Sequence, residues 1–158
     1  MKSPVTGVVA MISLLAVSAV LADGAPATPE EQARAAVELR QGLFKLMGWN
    51  MAPLAAMLRN KMPFDAAVAQ KSADRMEHLS QMIPDVFQAD TRQFKIETEA
   101  LEGIWTGKSD FNAKAAEMNK AAAALSAAAK TGDKAATLKA AGVLGKACGS
   151  CHDTFRVK

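Results

Sequence analysis

Cys148-Gly149-Ser150-Cys151-His152 opens the last eleven residues of a 158-residue chain and holds both of its cysteines and one of its two histidines. The Cys-x-x-Cys-His spacing is the signature of covalent haem attachment. Two thiols three apart on a helix share a face, so each can add to a vinyl group of one porphyrin. His152, one turn after Cys148, then faces the iron of the ring so anchored. The reading is one haem c, held by thioethers from Cys148 and Cys151, with His152 as the axial metal ligand.

Two other chemistries use the same residue types. A redox dithiol sits at the start of a helix that follows a strand, and no strand pattern precedes this motif. A structural zinc site needs four ligands, and His78 is the sole further nitrogen candidate. His78 reads better as a solvated residue beside an apolar stripe. Haem attachment is the reading that uses all three residues of the motif.

The totals suit such a protein. Half of the residues are hydrophobic and only 5% are aromatic, enough for one ordinary domain over residues 23–158. Residues 1–22 carry Lys2, an apolar run from Val8 to Leu21 and a Val20-Leu21-Ala22 end, the form of a cleaved secretory signal. The apolar run is short for a membrane span, so no membrane attachment is expected after cleavage. Removing the signal leaves 18 basic against 16 acidic residues, without a basic cluster, so nucleic acid is not an expected partner. Export also delivers the chain to the compartment where haem is ligated, which places it in the periplasm.

Between the signal and the motif, the sequence predicts helices. Thr28-Pro29-Glu30-Glu31 is a capping box that starts the first, whose inward stripe runs Ala36, Leu43, Met47, Met51, Leu54 and Leu58, with Arg40 in the same stripe. Pro53 predicts a kink or local break near Asn50. A second helix carries Val68, Ser72, Met76, Leu79 and Ile83 and stops at Pro84. Residues 84–108 form a long crossover containing Phe87, Phe94, Ile96, Leu101, Ile104 and Trp105, a composition suited to covering something. Trp105 either caps the bundle core or edges a cofactor. Ser109-Asp110 starts a third, alanine-rich helix that ends at Thr131-Gly132, and Asp133 caps a fourth with Leu138, Leu144 and Cys148 turned inward. The fold predicted is all-α, an antiparallel four-helix bundle with the haem near its C-terminus.

A haem motif on the last helix of such a bundle resembles the cytochrome c′ family, over roughly Glu38 to Lys158. The likeness is carried by Arg40-Gln41, Phe44-Lys45-Leu46-Met47-Gly48, Thr98-Glu99-Ala100-Leu101, Ile104-Trp105, and Gly145-Lys146-Ala147-Cys148 through Cys151-His152-Asp153-Thr154-Phe155-Arg156. Glu102-Gly103 departs from it, since the family often has Pro-Glu before the Ile-Trp pair. The resemblance implies a five-coordinate iron with His152 proximal and Phe44 above the open position. It also places Gln41, Glu97 and Thr98 near the haem edge, and puts Arg156 on the proximal side, in reach of a small ligand or a propionate; Phe87 of the crossover is a further candidate for contact with the cofactor. Pairing of two copies through the first helix is a further implication.

The residues themselves narrow the chemistry. Phe44 has no donor atom, so an iron it faces keeps a dry vacant site suited to nitric oxide or carbon monoxide, whereas bound dioxygen would lack a hydrogen-bond donor. Met47, one turn on, either fills space beside the porphyrin or supplies a sulfur ligand. Arg40 is a costly inward charge unless it meets a haem propionate or snorkels to a surface ion pair. The function expected is a periplasmic high-spin gas binder, a nitric oxide carrier or scavenger without turnover chemistry and with possible electron transfer to a redox partner. The rival is a low-spin electron-transfer cytochrome whose sixth ligand comes from the first helix. A peroxidase-like enzyme is the weakest reading, because nothing places an acid-base pair near the iron.

Overall fold

The computed structural model describes residues 27–158, so the secretory signal expected at residues 1–22 lies outside the described residues. Four long helices, α1 (Pro29–Leu58), α2 (Ala66–Gln81), α5 (Lys108–Lys130) and α6 (Lys134–Phe155), alternate in direction around a common core. Two single turns, α3 (Ile83–Val86) and α4 (Gly103–Thr106), lie in the connection between α2 and α5. Each long helix packs on two neighbours, in the spatial order α1, α2, α5, α6 and back to α1. This is an antiparallel four-helix bundle with two short turns and one long crossover.

Local sequence sets the ends. Glu31 and Thr28 form the expected capping box, with the Thr28 amide donating to Glu31 Oε2 at 2.7 Å and the Glu31 amide donating to Thr28 Oγ1 at 3.3 Å. Asn60 turns the chain after α1 in the left-handed region, φ 55°, and the Lys61 amide closes the turn on the Ala56 carbonyl at 2.8 Å. Gly132, φ 70°, does the same after α5, where a side chain would be strained. Asp133 caps α6 through the Ala136 amide at 2.8 Å.

Several sequence expectations are corrected. Helix α1 runs unbroken through Pro53. The carbonyl deprived of its donor is that of Trp49, a residue on the exposed side of α1, so solvent can reach it and the helix need not stop. The buried stripe of α1 is Ala33, Val37, Arg40, Leu43, Met47, Asn50, Leu54 and Met57, which leaves Leu58 exposed and Ala36 and Met51 half-buried. Pro84 does not end α2 but sits in the first turn of α3, where its missing N–H costs nothing. Helix α5 begins at Lys108, with Gly107 as its cap residue, so Ser109-Asp110 lies inside the first turn.

The interior is mostly aliphatic and sulfur-bearing. Leu43, Leu54, Met57, Met76, Met118, Leu125 and Leu144 are buried, and the small residues Ala69, Ala73, Ala122 and Ala141 let the helices approach closely. Among the described residues no buried side-chain nitrogen or oxygen lacks a partner. The chain closes on itself at one point beyond the bundle. Ala100 in the crossover forms an antiparallel bridge with Arg156 after α6, through Leu101 N–H to Phe155 O at 3.0 Å and Val157 N–H to Glu99 O at 2.9 Å.

Candidate haem site

Cys148 and Cys151 stand one turn apart on the last turns of α6, both half-buried, both as free thiols, and both packed against the core. Burial pushes both thiols up from their ordinary value, Cys148 further burdened by the nearby Cys151 sulfur, while Lys114 partly offsets the effect at Cys151. His152 follows at the surface edge of the same helix. Its proton affinity is lowered by burial and then by Arg156, with Asp153 and Glu99 acting in the opposite sense. An imidazole kept neutral is the form that ligates a metal.

Helix α1 faces this end of α6. A Cβ added to Gly145 would lie 3.8 Å from Met51 Cε, and one added to Gly142 would lie 3.9 Å from Leu58 Cδ2, which fixes an antiparallel register between the two helices. Extended by two turns at the helical rise, that register would bring Phe44 level with His152 and Met47 level with the start of the Cys-x-x-Cys pair. Phe44 remains 39% exposed, its ring 6.0 Å from that of Phe87. Met47 is buried in the core. From Phe87 the aromatic wall continues to Phe111 at 4.9 Å and from there to Phe155 at 5.3 Å, three residues beyond His152. Trp105 joins the wall at 6.2 Å from Phe87 and donates its indole N–H to the Ala89 carbonyl at 3.2 Å.

Arg40 departs from one of the two environments expected for it, the surface ion pair. It is only 3% exposed, so it does not snorkel to a surface ion pair. Its Nε donates to the Val86 carbonyl at 2.8 Å, Nη1 to Thr91 Oγ1 at 3.0 Å and Nη2 to the Ala89 carbonyl, while the guanidinium lies 5.0 Å from the Phe87 ring and 5.2 Å from that of Trp105. A guanidinium has five N–H donors, so three bonds leave two for another acceptor. Burial lowers its proton affinity, Asp90 works against that at longer range, and among the described residues Arg40 forms no ion pair. A buried, unpaired cation beside an aromatic wall suits the acidic edge of a porphyrin.

The remaining expected residues gather on the crossover. Gln41 Nε2 reaches the Glu97 carbonyl at 3.5 Å, and Thr98 Oγ1 accepts from the Ala100 amide at 3.2 Å. Arg156, expected on the proximal side, donates its Nε to Glu99 Oε2 at 2.6 Å. Glu99, Thr91, Phe111 and Phe155 were not singled out from the sequence as site residues. Phe155 was visible as the last apolar residue of the motif helix, whereas Glu99 and Thr91 become site residues only through contacts with distant parts of the chain.

The residues fit a covalently held haem. Two free thiols and an imidazole share one end of α6, an aromatic wall stands beside them, and a buried cation awaits an acidic group. They do not fit zinc: among the described residues no group of three or more His, Cys, Asp or Glu side chains converges. His78 lies on α2, exposed, with Nδ1 2.6 Å from the Asp74 carbonyl.

Comparison with known proteins agrees. The sequence profile of the family described as Cytochrome C′ matches residues 35–156. The chain is 36% identical over 157 residues to cytochrome c-554 of Cereibacter sphaeroides, covering 98% of each. Its fold matches that of cytochrome c prime from Shewanella frigidimarina with a TM-score of 0.75 and 39% identity, over 81% of this chain and 98% of that one. It also matches a nitric oxide complex of a variant cytochrome c prime from Alcaligenes xylosoxidans, with a TM-score of 0.71 and 28% identity, over 80% and 97%. With its two thiols placed to bind one haem c, the chain belongs to the cytochrome c′ family.

Proposed function

We propose that the protein is a periplasmic, high-spin cytochrome that binds nitric oxide or carbon monoxide at a five-coordinate haem and serves as a nitric oxide carrier or scavenger without turnover chemistry. The observation that carries this reading is the run of rings that joins Phe44 through Phe87 and Phe111 to Phe155, three residues beyond His152. A bound haem would supply the iron, and His152 is the residue that would ligate it. Cys148 and Cys151 fix the ring to α6, and the helix holds the imidazole beside them. Arg40 would receive a propionate, with Gln41, Glu97, Thr98 and Trp105 toward the same edge. Phe44, backed by Phe87, keeps the opposite side dry and offers no donor atom. A small apolar diatomic can displace the ring, whereas dioxygen gains no hydrogen bond there. The Alcaligenes neighbour, solved as a nitric oxide complex, supports the choice of ligand.

Two copies pair through α1 in this reading. Leu39, Leu46 and Trp49 occupy one outward face of that helix, 58%, 52% and 64% exposed. An apolar patch of this kind marks an association surface. Electron exchange with a partner protein is compatible with the same site.

A low-spin electron carrier is the second reading, and the buried sulfur of Met47, one turn from Phe44, is what favours it. The ferrous absorption spectrum separates the two. A broad high-spin spectrum that shifts on adding nitric oxide or carbon monoxide is expected. A sharp low-spin α band indifferent to both gases would overturn the gas-binding reading.

A further inference from the structure

At the end of the bundle away from the haem motif, the turn between α1 and α2 meets the first residue of α6 around an open cleft of about 280 Å³. Lys134 opens α6 and Cys148 follows near its far end, roughly 20 Å along the axis at about 1.5 Å per residue, so this cleft is separate from the haem site. Met57 lines the cleft although it is only 2% exposed and belongs to the buried core. Met62, Pro63 and Phe64 complete the apolar lining, and Met62 and Phe64 pack against the same core. The polar lining is Asn60, Lys61 and Lys134. The backbone fixes the turn, with Asn60 at φ 55° and its amide donating to the Met57 carbonyl at 3.1 Å, so the cleft is formed before any ligand arrives.

The charges at this cleft lack counterparts. Among the described residues neither Lys61 nor Lys134 enters an ion pair. The carboxylates nearest to them in sequence are committed to helix ends: Asp65 Oδ1 accepts from the Val68 amide at 3.0 Å, and Asp133 Oδ1 from the Ala136 amide at 2.8 Å. Two ammonium groups beside a lining of thioethers and a phenyl ring repel a metal cation, and a bare inorganic anion would leave the apolar lining wet. They suit an anion that brings its own apolar body. The volume lies just below the usual range for ligand sites, roughly 300–1,000 Å³, which fits a short alkyl chain or a single ring and excludes a porphyrin. The unbranched side chains of Met57 and Met62 can re-aim around either shape. We propose that this cleft binds a small amphiphilic carboxylate, whose charged head meets Lys61 and Lys134 while its apolar body lies against Met57, Met62 and Phe64.

The test uses the haem-loaded protein with octanoate as the probe, read by titration calorimetry and by the methyl spectra of methionine-labelled protein. Saturable binding at one site is expected, with shifts confined to the methyls of Met57 and Met62 and no change in the haem absorption spectrum. Octanol, which has the chain without the charge, should bind at least tenfold more weakly. Lys61→Gln combined with Lys134→Gln should weaken octanoate binding at least tenfold, and both side chains are exposed, so the variant keeps its fold. Lys120→Gln, an exposed change on α5, should bind as the parent does. Equal affinity for octanoate and octanol, or a double variant that binds like the parent, overturns the proposal, as does an absence of saturable binding. Vesicles of phosphatidylglycerol distinguish a free ligand from a lipid surface. Cosedimentation with them that needs Lys61 and Lys134, without octanoate binding in solution, would assign the cleft to a membrane and overturn the proposal equally.

Discussion

The guanidinium of Arg40 stacks 5.0 Å from the ring of Phe87, and its Nε donates to the carbonyl of the preceding residue, Val86, at 2.8 Å. One side chain of α1 thereby organises the start of the crossover, because Ala89 and Thr91 are held by the same group. Replacing Arg40 by Ala strands these acceptors and removes a stacked cation. A loss of about 3 kcal/mol is expected, since each unsatisfied buried group costs roughly 1–3 kcal/mol. Arg40→Lys should recover only part of it, because a single ammonium cannot serve three acceptors in a fixed fork. Urea unfolding of the haem-loaded protein, with hydrogen exchange of residues 86–91, measures both.

In the gas-binding reading Phe44 stands on the side of the iron opposite His152. Phe44→Met puts a thioether at that level of α1, and the ferrous spectrum should turn low-spin while carbon monoxide binding weakens at least tenfold, equivalent to about 1.4 kcal/mol. A spectrum that stays high-spin would remove Phe44 from the distal position. Met47→Leu, a volume-conserving change in the core, should leave spin state and gas binding as they are.

Alkaline pH should destabilise the chain before haem is attached. The folded state raises both thiols above the ordinary value of 9.0 through burial, so the protonated forms are favoured on folding. Their contribution is present below that value and is lost as pH rises through the higher folded one, where the unfolded chain releases its protons first. The sequence has no tyrosine to add a phenolic titration in the same range. Urea midpoints of the haem-free protein should fall above pH 9, and the fall should shrink when both Cys148 and Cys151 are replaced by Ala.

The outward face of α1 predicts association. Leu46→Glu places a charge in the middle of Leu39, Leu46 and Trp49 and should weaken self-association by at least a factor of ten, about 1.4 kcal/mol. Sedimentation velocity checks it. The same substitution made on the exposed Lys120 of α5 should change nothing, and a Leu46→Glu protein that still sediments as the parent does would move the interface elsewhere.

The four long helices and the haem motif were legible in sequence because their signals are local. Thr28 with Glu31, Asp133 before α6, and Gly132 after α5 each act within a turn, and the structure places them as expected. Pro53 does not break α1, for a reason sequence does not show: whether a lost helical bond matters depends on which face the orphaned carbonyl occupies. The partners of Arg40 lie 46 to 51 residues away and those of Arg156 lie 57 away, on a crossover without periodicity. An inward arginine announces that something must receive it, but the spacing of α1 cannot say that loop carbonyls do so.

Four thioethers, those of Met47, Met57, Met76 and Met118, are sealed in the interior beside the leucines. An unbranched side chain with three rotatable bonds and a polarisable tip can re-aim where a β-branched one would jam. A bundle lined this way can accept a flat macrocycle through rotamer changes, its four helical axes keeping the spacing their alanines set. The same malleable lining exposes a weakness, because conversion of any of these sulfurs to a sulfoxide would plant a polar group where the fold has no partner for it.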